Sequence, residues 1–299
     1  RFGELPEVWS RFYTASVALA LRHIHRTGFV YRDLKLENIM VAANGYAKLT
    51  DLGSAKRVDG EKRTYTAIGT EEYIPPEVLK GQGRNAASDW WGLGILAHEL
   101  LMGRPPFDRS AEAEAGTRRD VVKGEILDDI RAYSRQGGGA RELLRQRIVA
   151  TGGAGLEDAA DFVVSLLDER EPQRLGCGRA GFQSLQGHRW FRSFDWLQLL
   201  ALEMPPPYVP RDIENRDIEA APAELAHLSS LTPVDDELQA RCPFASPCRV
   251  PLHVALDLGR LSLRNSARAS PSTTMDPSIS DAWPTSGPGG AQGGAAVCF

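Results

Sequence analysis

A chain of 299 residues, 42% of them hydrophobic, has room for one large domain or two modest ones, and a unit of about 200 residues can bury roughly 70% of its unfolded surface. The net charge of −4 and pI near 5.9 exclude the basic footprint of a nucleic-acid binder, and the four scattered cysteines exclude a disulfide framework. No apolar run approaches the ~18 residues that span a bilayer, since "GLGILAHELLM" is interrupted by His98 and Glu99, so a soluble, cytoplasmic protein is expected.

In chain order, apolar residues at Trp9, Phe12, Tyr13, Val17, Ala20, Leu21 and Ile24 have helical spacing from Pro6 to about Arg26, with Pro6 suited to a first helical position and Gly28 as the stop. The chain begins with Arg1 rather than Met, so a segment upstream is expected. The following "FVYRDLKLENIMVAANGYAKLTDLG" alternates short β-type runs with an Asn44-Gly45 turn and reads as a loop feeding a small hairpin. A second helix, near-continuously apolar from about Ser88 to Met102 and ended by Gly103 and Pro105, is expected at the centre of the core. Beyond it, helices alternate with Gly-rich insertions, "QGGGA" and "TGGAG", as far as the proline cluster "PPPYVP". From about Arg211 periodicity is lost, and residues 264–299, rich in Ser, Pro, Gly and Ala, bury too little apolar surface to offset ordering entropy.

The loop "YRDLKLENIM" carries the chemistry. Asp33, Asn38 and the later Asp51 of "DLG" supply two carboxylates and an amide oxygen, hard ligands suited to Mg²⁺ that borrows the rest of its shell from phosphates. Lys35 offers a point charge to a transferring phosphoryl group, and Asp33 can accept a proton from an incoming hydroxyl. Taken alone, the pattern is equally that of a polar loop with Asp and Asn as turn formers. A series downstream weighs against that bland reading: "DLG", "GTEEYIPPE" at Gly69–Glu77, "SDWWGLG" at Ser88–Gly94, "PPF" at Pro105–Phe107 and "QRLGCG" at Gln173–Gly178.

In this order the motifs resemble the C-terminal lobe of eukaryotic protein kinases. Tyr31 before Arg32-Asp33, "KRTYTAIGTEEYIPPE", "RLGCG", "HRWFRSFDW" and "PPPYVP" are similar to the AGC group of Ser/Thr kinases. The resemblance implies a mainly α fold with a small β-hairpin region over residues 1–198, an AGC-type extension over 199–220, and a low-complexity, largely disordered tail over 221–299. It implies ATP and Mg²⁺ as cofactors and protein Ser/Thr hydroxyls as acceptors.

Carried over residue by residue, it makes Asp33 the catalytic base, Lys35 the phosphate-contacting lysine, and Asn38 and Asp51 the Mg²⁺ ligands. Thr66 matches the activation-segment phosphosite, with Arg32 and Lys56 as the cations that would hold its phosphate. Thr70 matches the threonine bracing Asp33 and Lys35. Glu77 and Arg174 match a buried ion pair, and Asp89 the residue anchoring the catalytic loop; these three are structural. Glu37 matches a position that reads an upstream Arg in the substrate, although a solvated loop carboxylate fits it equally, and the second acidic partner expected near Arg119 is not evident.

The sequence departs from the family pattern at Leu52 for Phe, at Pro75 for Ala, and through long insertions around Ala111–Gly116 and Tyr133–Gly155. Ahead of the first helix there is no Gly-rich loop, no V-A-I-K lysine and no helix glutamate to pair with it, so the chain by itself is expected to be inactive. A kinase-lobe module that binds partners without catalysis is the alternative, which four intact chemical positions disfavour.

Overall fold

The computed structural model describes residues 3–58, 63–65, 70–109, 119–152 and 155–210, together with the backbone of 248–251. Helix α1, Glu7–Arg26, starts one residue later than the proline rule suggests. Pro6, at ψ 142°, precedes the helix instead of opening it. The chain then runs through β1 (Phe29–Val30), a 3₁₀ turn at Leu36–Asn38, β2 (Ile39–Ala42) and β3 (Ala47–Leu49). Asn44-Gly45 closes the hairpin, with Ile39 opposite Leu49 and Val41 opposite Ala47. β4, Lys56–Arg57, returns antiparallel to β1.

A short α2 (Pro76–Leu79) leads to α3, Ala86–Met102, capped at its start by the Asn85 side chain and terminated at Gly103 in the left-handed region. α3 is buried almost all round, as an apolar run without a polar stripe requires. It packs between α1 and α6 (Glu157–Leu166).

The segments flanking α6 give the main difference from the sequence reading. α4, Arg119–Gln136, and α5, Gly138–Gly152, form a helical pair, so the expected Gly-rich breaks at "QGGGA" and "TGGAG" are largely taken into helix ends. The glycine run needs only one break, Gly137 at φ 55°, a conformation cheap for glycine. Ala140, Leu144 and Ile148, four residues apart, then form the buried stripe of α5. The other insertion, Ala111–Gly116, lies outside the described residues.

The extension packs back on the hairpin. After α7 (Phe182–Gln186) and α8 (Trp196–Leu200), the Tyr46 hydroxyl donates to Met204 O at 2.5 Å and the Tyr208 ring lies 6.5 Å from Trp9. Within the segment expected to be largely disordered, Cys248–Pro251 forms a strand, β5, antiparallel to the open edge of β2.

Candidate active site

Two packed elements position the catalytic-type loop. The chain turns after β1 at Arg32, whose φ of 75° costs a non-glycine residue about 1–3 kcal/mol and must be held by its surroundings. Asp89, on the buried face of α3, does the holding: its carboxylate accepts the Tyr31 N–H at 2.8 Å, the Arg32 N–H at 2.9 Å and His25 Nε2 at 2.7 Å. The Tyr31 hydroxyl donates to Thr50 O at 2.6 Å, tying this loop to the end of β3 just before Asp51.

Asp33, Lys35 and Asn38 meet on that loop. Asp33 Oδ2 lies 3.2 Å from Lys35 Nζ and accepts from Asn38 Nδ2 at 3.1 Å, while the same nitrogen donates to Asp33 O at 2.8 Å. With its nitrogen turned to Asp33, Asn38 presents Oδ1 on the opposite side, the atom a hard cation would take. Asp51 follows in the left-handed region at φ 52°, exposed, with Oδ1 accepting the Gly53 N–H at 3.2 Å. A Cβ at position 53 would stand 3.1 Å from that oxygen, so a side chain there would press the Asp51 carboxylate from its place. The donor set of one amide oxygen and one exposed carboxylate fits Mg²⁺, and no His/Cys/Asp/Glu cluster of three or more that could hold a metal exists among the described residues. Asp33 and Thr70 line one small cavity with Arg84, Ser88 and Asp89.

Arg32 reaches the activation-type segment at Thr64. Its Nη1 donates to Thr64 Oγ1 at 3.0 Å and its Nε to Ser54 O at 2.6 Å, and Arg84 donates to Arg32 O. Thr64 and Arg84 also form a backbone bridge. Thr66 lies outside the described residues, and Lys56 is exposed on β4. Arg63 clamps the same segment to Glu171 through two bonds of 3.1 and 2.7 Å.

Beneath the segment, Arg174 and Glu77 form a two-pronged pair, both bonds 2.9 Å, with Ser88 Oγ donating to Glu77 at 2.9 Å. Burial alone would push the Glu77 carboxyl up; the Arg174 guanidinium outweighs it and holds the group below its usual value.

The acidic neighbours of Glu37 escaped the sequence reading. Glu37 is exposed on the 3₁₀ turn and shares an acidic field with Glu72, Glu99 and Asp108. Burial, then the neighbouring carboxylates, push Glu99 up to about 7, although the Tyr73 hydroxyl donates to it. Glu72 is raised for the same two reasons, burial first. The available signal was a carboxylate, Glu99, following the apolar run Trp90–Ala97 of the same helix, where an unpaired charge is costly.

Comparison with known proteins decides the family, because the protein kinase domain pattern matches residues 2–191. The chain belongs to the protein kinase family. Its sequence is 35% identical over 234 residues to the cGMP-dependent protein kinase egl-4 of Caenorhabditis elegans, covering 78% of this chain and 26% of that relative. It is 37% identical over 201 residues to a cAMP-dependent protein kinase catalytic subunit-like protein of the same organism, covering 67% and 44%. With the atypical protein kinase C of Drosophila melanogaster it shares 34% identity over 241 residues, covering 80% and 37%. The chain thus spans between about a quarter and under half of the length of these kinases.

Proposed function

We propose that the chain is the C-terminal lobe of an AGC-type Ser/Thr protein kinase, with the AGC extension over 199–220 and a tail over 221–299, acting in the cytoplasm on protein substrates. The observation that carries this reading is the cluster of Asp33, Lys35 and Asn38 within 3.2 Å contacts on a loop anchored to the central helix by Asp89. In the reaction, the substrate hydroxyl oxygen bonds to the γ-phosphorus, the bond from that phosphorus to the β,γ-bridging oxygen breaks, and ADP leaves. Asp33 takes the hydroxyl proton, and Lys35 offsets charge on the transferring oxygens. Asn38 Oδ1 and the Asp51 carboxylate would hold Mg²⁺, which when bound neutralises phosphate charge. Thr70, beside Asp33 in the shared cavity, braces the pair.

Joined to the amino-terminal lobe of a related kinase, the chain is expected to phosphorylate a Ser/Thr peptide, and Asp33→Asn to lower turnover by at least about 10²-fold without changing the unfolding midpoint. A variant with unaltered turnover would remove Asp33 from the mechanism and favour the non-catalytic module.

Regulation is proposed at Thr66, whose phosphate would meet Arg32 and Lys56. The contact between Arg32 and Thr64 makes Thr64 the competing acceptor. Substitution of each threonine by alanine separates them: loss of phosphate-dependent activation in Thr66→Ala alone supports Thr66, and loss in Thr64→Ala alone reassigns the site.

Glu37 with Glu72 and Glu99 supports a preference for basic residues near the acceptor. Glu99 is largely protonated below pH 7 and charged above it, because its carboxyl is raised to about 7. Affinity for an Arg-containing peptide should therefore rise between pH 6 and pH 8, as read by fluorescence polarisation. Glu99→Gln should flatten that rise; an undiminished rise in the variant would place the titrating group elsewhere.

A further inference from the structure

A cleft of about 580 Å³ opens at the carboxyl end of α3, with His98, Arg104, Arg147 and Thr151 in its wall. Arg147 and Thr151 belong to α5, the helix inserted relative to the kinase pattern. Arg147 Nη2 donates to Pro106 O at 3.2 Å, which fixes its guanidinium at the cleft, and His98 Nδ1 is bonded to Arg104 O at 2.8 Å.

Among the described residues no carboxylate pairs with Arg104 or Arg147. The neighbouring arginines behave differently: Arg109 pairs with Asp129 at 2.6 Å, and Arg141 with Asp168. Burial, and then the charge of Arg104, lower the basicity of Arg147, and burial, followed by Arg147 and Arg104, lowers His98 to about 4. Two guanidinium groups that line one cleft and have no carboxylate partner of their own among the described residues repel each other, and a bound oxyanion would reverse the sign of that interaction while taking charge-assisted hydrogen bonds from both. Glu4 and Asp108 also line the cleft, each with interactions of its own. Asp108 belongs equally to the acidic field of Glu72 and Glu99, so the arginine-lined wall of the cleft adjoins the acidic surface.

We propose that this cleft is a binding subsite for the carboxylate or phosphoryl group of an acidic peptide segment, held by Arg104 and Arg147 with the Thr151 hydroxyl. On the Ser/Thr-kinase reading, that segment belongs to a substrate whose basic residues face Glu37, Glu72 and Glu99, so the groove selects a substrate with both signs of charge. Binding of the acidic group itself requires no reaction.

The test uses the full 299-residue chain without nucleotide and three fluorescent pentapeptides, alanine throughout except for a central phosphoserine, glutamate or serine. The phosphoserine and glutamate peptides should bind, and the serine peptide should not. Arg104→Gln and Arg147→Gln should each weaken binding by about tenfold or more, since each removes hydrogen bonds to a charged group, and Lys35→Ala should leave it unchanged. Arg104 is exposed, so its variant keeps the fold even if Arg147→Gln does not. Equal affinity for the three peptides, or loss in Lys35→Ala with retention in the arginine variants, would overturn the proposal. Inorganic phosphate competing at the same concentration as the phosphopeptide would overturn its peptide part and leave a free-anion site. With no nucleotide present, failure here leaves the phosphoryl-transfer reading intact, and unaltered turnover in Asp33→Asn leaves this cleft intact.

Discussion

Purified alone, the 299-residue chain is expected to transfer no phosphate from MgATP to a basic Ser/Thr peptide. Asp33, Lys35 and Asn38 meet on one loop, and Asp51 stands exposed beyond β3. On the proposed reading, Asn38 and Asp51 through Mg²⁺, with Lys35, would hold the terminal phosphate and leave the rest of the nucleotide unoriented. Correct positioning contributes roughly 7–11 kcal/mol to reactions of this kind, and most of it would be missing. The run Gly176-x-Gly178-x-x-Gly181 has the spacing of a phosphate-binding loop, yet it forms the turn ahead of α7, where a Cβ at 176 would stand 3.0 Å from Trp90. Gly176 serves packing, while Gly178 and Gly181 stand at φ 69° and 49°, turn conformations that favour glycine. A radiolabel transfer assay checks the expectation. Measurable transfer by the chain on its own, abolished by Asp51→Ala, would show that a single lobe suffices; adding the amino-terminal lobe of a relative should restore turnover.

The parts of the fold that were legible in the sequence are those fixed by local chemistry. α1 and α3 follow from apolar spacing and their stop residues, and the hairpin from Asn44-Gly45, because each signal lies inside the element it specifies. The loop chemistry was legible for a related reason: Asp33, Lys35 and Asn38 lie within six residues, so their meeting requires no knowledge of the fold. What was not legible is non-local. Tyr73 and Glu99 are 26 residues apart and meet only because the turn after Thr70 packs on α3. The glycine run at 137–139 reads as a loop because propensity penalises glycine in a helix, and tertiary burial of Leu144 and Ile148 against α6 overrides that penalty. β5 was missed because four residues of strand inside a low-complexity segment give no periodic signal, and the open edge of β2 supplies the pairing.

The largest stability effect is expected at Arg174. Its side chain is fully buried, and besides the two bonds to Glu77 it donates from Nε to Asp168 O at 2.9 Å and from Nη1 to Ala87 O at 2.8 Å. The guanidinium also lies 5.3 Å from the Trp91 ring centroid. Arg174→Met retains much of the apolar stem but leaves the buried Glu77 carboxylate with the Ser88 hydroxyl and no cation, and takes a donor from two carbonyls, so stability should fall by about 3–5 kcal/mol. The pH dependence gives the mechanism a separate check. With Arg174 present, the Glu77 carboxyl is held below its usual value, so its contribution exists above the unfolded-state value of about 4.5 and fades as pH falls through the lower folded-state value. Without Arg174, burial dominates and raises the group above 4.5; the stability of the protonated form is then fully present below 4.5 and lost as pH rises through the raised value. The gap between wild type and variant should therefore be widest at pH 8 and narrow at pH 4, read from urea midpoints. Pairing Arg174→Met with Glu77→Leu should recover part of the loss at pH 8, because the unpaired charge is gone. A pH-independent gap, together with a double variant no more stable than Arg174→Met, would show that the loss comes from packing against Trp91 and not from the uncompensated carboxylate.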